Sequence, residues 1–584
     1  MHRSSRMRAN FRIRTLGPVA LGPVATPSDS SVGQDPSRLT FGHFLSDIAL
    51  RYGEREAIVF EGQRLSYREL ESEVRRLARA LIGAGVVKGA RVAVLMSNRP
   101  EWIFALFAVG LVGGVLVPVN TFARPEERDY ILRHGDASLL LLQRSLLKHA
   151  YLDELVRDHP ELAAGEPGAL RCEALPQLRR VVCLELEEAR GSVQTWDELL
   201  ALGEGVSDAL LDAACAEVHP ADDALIIYTS GTTAHPKGVL HAQRAGIIES
   251  WRFAEQMRLD PDDRVWTAQP FFWTAGICMS LGATLAAGAC LIVQEYFEPG
   301  RALELIESER ATTVHAWAHQ DKALAEHPSA SDRDFSSLRK VNFSTQLAKL
   351  AGIEKDEWGP GGSYGLSETF TLAASIPSDA PAEIRRSTSG MALPGMQLRV
   401  VDPESGEPVL TGQAGEIAVK GVTLMRGYYK VVPEAYLDEN GFFRTQDGGW
   451  LDEEGYVHWT GRISGMIKTG GANVSPVEIE RQLEGYKNLR VGLPVGVPHP
   501  TLGEALVVCA VPREGAQVSE AEVKSYLRSK LAPYKVPKRV LFFSASELSY
   551  TGNQKIQVGP LREAALRRLE AERAEIDGHT YEKA

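Results

Sequence analysis

Apolar and polar positions fall in blocks along this chain, and the blocks predict strands and helices in turn. Ser66-Tyr67-Arg68-Glu69 has the form of a capping box, and Leu70, Val74, Leu77 and Leu81 then recur at helical spacing. Gly83 and Gly85 close that helix, and Arg91 to Met96 reads as a strand. A helix starts at Pro100, a Gly-Gly turn leads to a strand over Val115 to Val119, and an acidic helix start at Glu126-Glu127 precedes a strand over Ser138 to Leu142. Strand and helix alternating at this spacing, from about Thr40 onward, predict a parallel sheet covered on both faces. Residues 150–220 are more polar and less regular, with no chemistry legible in them, and nothing repeats at a fixed period.

Two runs raise the question of a membrane: Trp102 to Val119 holds 18 residues without a charge, and Pro270 to Val293 holds 24. Each is interrupted by glycines and reads as a buried helix, a turn and a buried strand, so no transmembrane segment is predicted. Residues 394–461 change texture. Short alternating runs (Leu398 to Val401, Glu416 to Val419, Tyr456 to Trp459) lie between Gly and Asp turns and predict antiparallel strands. Beyond Ile463 a separate unit of about a hundred residues follows, ending near Gln557, and the Ala/Arg/Glu-rich tail from Leu561 reads as a solvated helical cap.

Composition narrows the class. The chain has 584 residues, 44% hydrophobic and 24% charged, as in a soluble globular protein of several domains. A net charge of −12 argues against non-specific nucleic-acid binding, which needs a basic surface. The six cysteines (Cys172, Cys183, Cys215, Cys278, Cys290, Cys509) are scattered without a Cys-x-x-Cys, so they give neither a disulfide framework nor a zinc signature, and a reducing, cytoplasmic setting is expected. Residues 1–38 carry Arg3, Arg6, Arg8, Arg12 and Arg14 with no acid before Asp29. They lack a sustained apolar stretch and read as a disordered or targeting extension.

The stretch richest in chemistry is 224–241. An apolar run, Ala224 to Tyr228, opens into Thr229-Ser230-Gly231-Thr232-Thr233 and closes on Pro236-Lys237-Gly238. Backbone N–H groups, four hydroxyls and one ammonium in so short a span are what a polyphosphate needs. The loop is no Walker A, since neither Ser nor Thr follows Lys237. Gln269-Pro270-Phe271-Phe272-Trp273-Thr274-Ala275-Gly276 puts three aromatics before a small-residue helix, which suits a core or the wall of an apolar pocket. In Gly362-Ser363-Tyr364-Gly365-Leu366-Ser367-Glu368-Thr369 the tyrosine is able to stack on a purine, and Ser367 with Glu368 to hold an oxygen-liganded cation. Thr445-Gln446-Asp447-Gly448 reads as a turn; Gly461-Arg462, Ile467-Lys468-Thr469-Gly470-Gly471 and Lys555 complete the set.

Together these stretches resemble the adenylate-forming superfamily of acyl-CoA synthetases, peptide-synthetase adenylation domains and firefly luciferase. The likeness covers about residues 40–557 and rests on at least five motifs in the family's order. These are Thr229 to Gly238, Tyr364 to Glu368, Asp447 with Gly461-Arg462, Leu531-Ala532-Pro533-Tyr534-Lys535-Val536-Pro537, and Thr551 to Ile556. The resemblance implies an α/β fold: a large N-terminal domain (39–462) of parallel sheets covered by helices with a small antiparallel barrel-like subdomain, a hinge at 463–465, and a small mobile α+β lid (466–560) before the helical tail (561–584). It also implies a two-step reaction in which a carboxylate attacks the α-phosphorus of ATP, pyrophosphate leaves, and the acyl-adenylate passes its acyl group to a thiol. By likeness, Thr229, Ser230, Gly231, Thr232, Thr233 and Lys237 hold the β- and γ-phosphates, Tyr364 stacks on adenine, Ser367 touches the α-phosphate and Glu368 holds Mg²⁺. Asp447 binds both ribose hydroxyls with Arg462 as its motif partner, and Lys555 bridges carboxylate and α-phosphate. The small domain turns about Ser464 and presents Lys468, Gly470 and Gly471 to the thiol. Phe272, Trp273 and Gly276 shape the acid pocket.

The sequence departs from the family's pattern at Ala234, Gln446, Ser464-Gly465, Gln554, Trp273 and Ser344-Thr345-Gln346, while Lys237, Glu368, Asp447, Arg462 and Lys555 remain. The expected function is an acid–CoA ligase using ATP, Mg²⁺ and coenzyme A on an apolar, fatty or arylalkanoic acid. Two alternatives stand beside it: loading of a carrier-protein phosphopantetheine, and a non-catalytic nucleotide-binding homologue.

Overall fold

The computed structural model describes residues 35–229, 236–463, 466–544, 547 and 558–582. The helix announced by Ser66 runs Tyr67–Gly83. Its capping box is closed in both directions, Ser66 Oγ accepting from the Glu69 N–H and the Glu69 carboxylate accepting from the Ser66 N–H at 2.8 Å. Leu70, Val74, Leu77 and Leu81 are all buried on one face. The helix packs on Pro100–Leu111, whose Trp102, Ile103, Phe107 and Val109 are buried in the same core. The first charge-free run is therefore this interior helix and the strand Val115–Pro118; the second holds a π-helix, Gly276–Gly282, and the strand Cys290–Val293. No described helix is long and apolar enough to cross a membrane.

Two sheets carry the large lobe. The first has eight strands. Arg91–Leu95, Val115–Pro118, Leu139–Gln143, Arg180–Leu184, Val193–Thr195 and Asp223–Thr229 are parallel, and Lys237–Ala242 and Gly427–Tyr428 close one edge antiparallel. The second sets Thr313–His315, Arg264–Thr267, Cys290–Val293 and Glu56–Phe60 parallel, with Gln63–Ser66 antiparallel at its edge. Central parallel strands are buried on both faces, which is why Leu139 to Leu142 is an unbroken apolar run. The predicted antiparallel region is a four-stranded sheet of Met396–Val401, Gly415–Gly421, Phe443–Leu451 and Val457–Arg462. The small lobe has its own five-stranded sheet built on Leu489–His499 and Gly503–Pro512.

Three readings are corrected. Residues 150–220 contain Arg180–Leu184 and Val193–Thr195, which extend the eight-stranded sheet; the first lies isolated among polar connections and the second has only three residues. Thr445-Gln446-Asp447-Gly448 is not a turn but the middle of Phe443–Leu451. Gln446 there takes φ +59°, and the pairing register with Val457–Arg462 shifts between Gly448 and Gly449. A side chain in that left-handed region costs about 1 kcal/mol, which explains why glycine suits the position. Nor is the tail a solvated cap. The helix Val558–Ala571 buries Leu561, Ala565 and Leu569, and the hairpin of Glu575–Ile576 and His579–Thr580 brings Tyr581 into the same small-lobe core.

Candidate active site

The strand Asp223–Thr229 ends at the head of the hydroxyl loop, and its partner begins at Lys237, paired with Thr229. Ser230, Gly231, Thr232 and Thr233 lie outside the described residues, as do Ser464 and Lys555. Lys237 Nζ stands 4.8 Å from the centre of the Tyr428 ring, and the Tyr428 hydroxyl donates to Glu368 Oε1 at 2.6 Å. The geometry thus joins Lys237 to Glu368 through Tyr428, a residue the motifs did not single out. Its only trace in the sequence is the aromatic pair Tyr428-Tyr429 after Gly427, where the short edge strand Gly427–Tyr428 meets Lys237–Ala242.

Ser367 and Glu368 sit in a single 3₁₀ turn, Ser367–Thr369, ended by Phe370 at φ +53°. His241 fixes that turn from below. Its Nε2 lies 2.7 Å from the Ser367 carbonyl, which requires the Nε2–H tautomer, and its ring packs edge-on to Phe370. Burial pushes the His241 pKa down to about 4, against the hydrogen bond to Ser367 that raises it. His315, also buried, is pushed down to about 4 by burial, with the charge of Asp263 opposing. Both rings are neutral when folded and take up a proton on unfolding. Stability is therefore complete above the ordinary value of 6.5 and is lost as pH falls from there toward about 4. Each histidine contributes a slope of about 1.4 kcal/mol per pH unit. Replacing His241 by Gln, which keeps a donor for Ser367, should remove one such slope, read from denaturant midpoints at pH 7, 6 and 5.

The Tyr364 hydroxyl donates to Asp447 Oδ2 at 3.0 Å, and both residues are buried. Their meeting joins two motifs 83 residues apart in sequence. Of Arg462 only the backbone is described, paired with Asp447 across the sheet.

The aromatic run splits by role. Phe271 points into the core against Trp102, while Phe272 meets Phe122 at 5.9 Å and Trp273 at 5.1 Å, both edge-on. Asn98 clamps the segment, accepting from the Phe271 N–H and donating to the Gln269 carbonyl. Phe272 and Trp273 line a cleft of about 110 Å³ together with Thr229, Pro236 and Ser367. Gly276 lies behind this wall: a Cβ there would stand 2.1 Å from the Pro270 carbonyl, so its smallness serves packing.

The small lobe closes over this cleft. Its strands Ile467–Thr469 and Ala472–Val474 are joined by Gly470 and Gly471, at φ +55° and +82°, the two left-handed positions of a tight hairpin turn. A Cβ on Gly471 would meet the Trp317 indole at 3.0 Å, so only glycine lets the tip lie flat on that ring. Lys468 is exposed beside the tip, its N–H donating to Glu504 at 2.9 Å. Tyr534 packs edge-on to Trp273 and Phe122, and Lys535, fully buried, reaches Glu127 of the large lobe at 3.1 Å and Glu478 of its own lobe at 2.9 Å. Burial alone would push Lys535 down; Tyr534, Glu127 and Glu478 outweigh it and hold the ammonium charged.

Sequence profiles decide what these parts add up to. That of the AMP-binding enzyme family matches residues 45–429, and that of its C-terminal domain matches 494–555. The chain belongs to the AMP-binding enzyme family. This AMP-binding enzyme is 33% identical over 512 residues to a feruloyl-CoA synthase of an Amycolatopsis species, with 87% of this chain and 95% of the relative covered. It is 31% identical over 519 residues to an indoleacetate–CoA ligase of Aromatoleum aromaticum, covering 88% and 96%. Among solved structures, ATP-bound MatB from Rhodopseudomonas palustris matches with a TM-score of 0.60 at 27% identity, covering 90% of this chain and 99% of MatB. The match extends to the adenylate-forming fold as a whole: parallel-sheet lobe, antiparallel half-barrel and small C-terminal lobe.

Proposed function

We propose that this enzyme activates an apolar carboxylic acid, fatty or arylalkanoic, with ATP to an acyl-adenylate and passes the acyl group to the thiol of coenzyme A, releasing pyrophosphate and AMP. The observation that carries the reading is the cleft in which Thr229, at the head of the hydroxyl loop, Ser367 and the Phe272–Trp273 wall face one another under Gly471 of the small lobe. Phosphate-binding groups, an apolar wall and a second lobe within one cleft fit a reaction that joins an acid to a phosphate and then admits a third reactant.

In this reading Lys237 and the hydroxyl loop bind the outer phosphates, Tyr364 and Asp447 orient the nucleoside, and Lys555 neutralises charge where carboxylate and α-phosphorus meet. Among the described residues no group of three or more His, Cys, Asp or Glu is placed to hold a metal. One half-buried carboxylate, Glu368, joined by the Tyr428 hydroxyl to the ring beneath Lys237, fits a Mg²⁺ that shares its ligands with the nucleotide. When bound there, the ion supplies further neutralisation of phosphate charge. Phe272 and Trp273 exclude water from the acid end, and Tyr534 of the small lobe covers it.

The relatives that act on ferulate and indoleacetate support the aromatic end of the range. Acid-dependent exchange of labelled pyrophosphate into ATP, run over a ladder of aliphatic and aryl acids, tests the reading. The expected result is exchange with apolar acids and little with short dicarboxylic ones; the opposite preference would contradict the apolar wall's assignment.

A further inference from the structure

Where the Gly470-Gly471 tip meets the large lobe, cavities adjoin. One of about 720 Å³ is bordered by Lys468, Trp459 and Arg562, and another of about 370 Å³ by Ser97, Phe272 and Tyr534. The two share Trp317, His319, Gly470 and Leu502, and Trp317 also lines the 110 Å³ cleft that holds Thr229 and Ser367. His319 therefore stands at the junction of the outer cavity with the 370 Å³ one, which in turn adjoins the reaction cleft through Phe272, Trp273 and Trp317.

Only the opposing charges of Lys538 and Asp577 act on the ring of His319, which makes no hydrogen bond with the described residues. Its Nδ1 is buried and has no hydrogen-bond partner among them, lying under Gly470, where a Cβ would come within 3.6 Å. Burial, assisted by the charge of Lys538, pushes its pKa down, so the imidazole is neutral and carries one proton. A buried lone pair without a donor costs less than a buried N–H without an acceptor. The proton therefore sits on Nε2, and His319 offers the junction a hydrogen-bond donor with apolar neighbours, Trp317 and Leu502, on either side.

We propose that His319 is a positioning residue for the second substrate: its Nε2–H donates to an amide carbonyl in the arm of a phosphopantetheine-type thiol, aligning the arm as it passes from the outer cavity toward the cleft. The assignment rests on the acyl-transfer reading above. A slender arm of alkyl segments joined by amides suits an apolar passage with one fixed donor, whereas a plain alkyl thiol has nothing for that donor to bind.

The test compares the full-length protein with His319→Ala and His319→Gln, the latter restoring an N–H donor. Thiols are coenzyme A, pantetheine, a phosphopantetheinylated carrier protein, and 1-propanethiol, which has no amide. His319→Ala should raise KM for the arm-bearing thiols roughly threefold to tenfold, the span of one neutral hydrogen bond. It should leave the rate with propanethiol unchanged, and Gln should recover most of the loss. Whichever of coenzyme A and the carrier shows the effect is the arm's source. Acid-dependent pyrophosphate exchange, which needs no thiol, tells a folded variant from a broken one. An unchanged KM for the arm-bearing thiol, or an equal loss with propanethiol, would overturn the assignment. If the unaltered protein shows no exchange at all, the activation reading fails separately. Calorimetric binding of pantetheine then decides on His319 without turnover: weaker binding to the Ala variant supports it and equal binding overturns it.

Discussion

Replacing Lys535 by Met should release the small lobe from the large one. The ammonium is fully buried between Glu127 of the helix Pro125–His134 and Glu478 of the helix Pro476–Glu484, and losing it leaves two carboxylates facing each other in the interior. Burial already pushes the Glu478 pKa up, with Lys535 the main force opposing it. Breaking a buried charge network of this kind by removing one member costs about 3–5 kcal/mol. The loss should appear in hydrogen exchange as faster exchange over 124–131 and 531–536, where Arg124 also donates to the Leu531 carbonyl at 3.0 Å. The Gly503–Pro512 strand inside the small-lobe sheet should keep its protection. Because Lys535 borders the same cleft as Gly471 and Trp317, acyl transfer should slow more than adenylate formation. Removing all three charges together (Lys535→Met with Glu127→Gln and Glu478→Gln) should recover much of the stability, since no ion is then left unpaired. Unaltered exchange over 531–536 in the single variant would mean that the ion pairs do not hold the lobes.

Replacing Asp447 by Ala should raise the KM for ATP by on the order of a hundredfold or more, if its carboxylate accepts both ribose hydroxyls, since each hydrogen bond to a charged group contributes about 1.5–3 kcal/mol. The pairing with the Tyr364 hydroxyl holds one carboxylate oxygen in place, so Tyr364→Phe should show a smaller effect in the same direction. The ATP dependence of pyrophosphate exchange at saturating acid reads both. An unchanged KM in Asp447→Ala would remove the carboxylate from nucleotide binding.

The parallel sheets were legible because strands buried on both faces must be written as apolar runs, and the helix after Ser66 because its cap and its stripe of Leu and Val agree. Gln446 shows where local reading fails. Polar residues between Thr445 and Gly448 suggest a turn, yet sheet pairing on both sides holds them in a strand with one left-handed residue. The tail misled for a related reason: Leu561, Ala565 and Leu569 are few among charges, but they lie one helical turn apart and meet a core. Candidate residues carried by contiguous motifs could be named from the sequence alone. Residues brought in from elsewhere carry little local signature: Tyr428 meets Lys237 only through pairing at the sheet edge, and Trp317 and His319 come beneath the glycine hairpin only when the lobes are packed.

One assay bears on the whole account: ATP carrying label in its α-phosphate, an aryl or fatty acid, and the purified protein, followed with and without coenzyme A. Label accumulating as acyl-AMP without the thiol, and then appearing as AMP with thioester formed in equal amount once coenzyme A is added, is the predicted result. AMP or ADP released at the same rate whether or not an acid is present would contradict it.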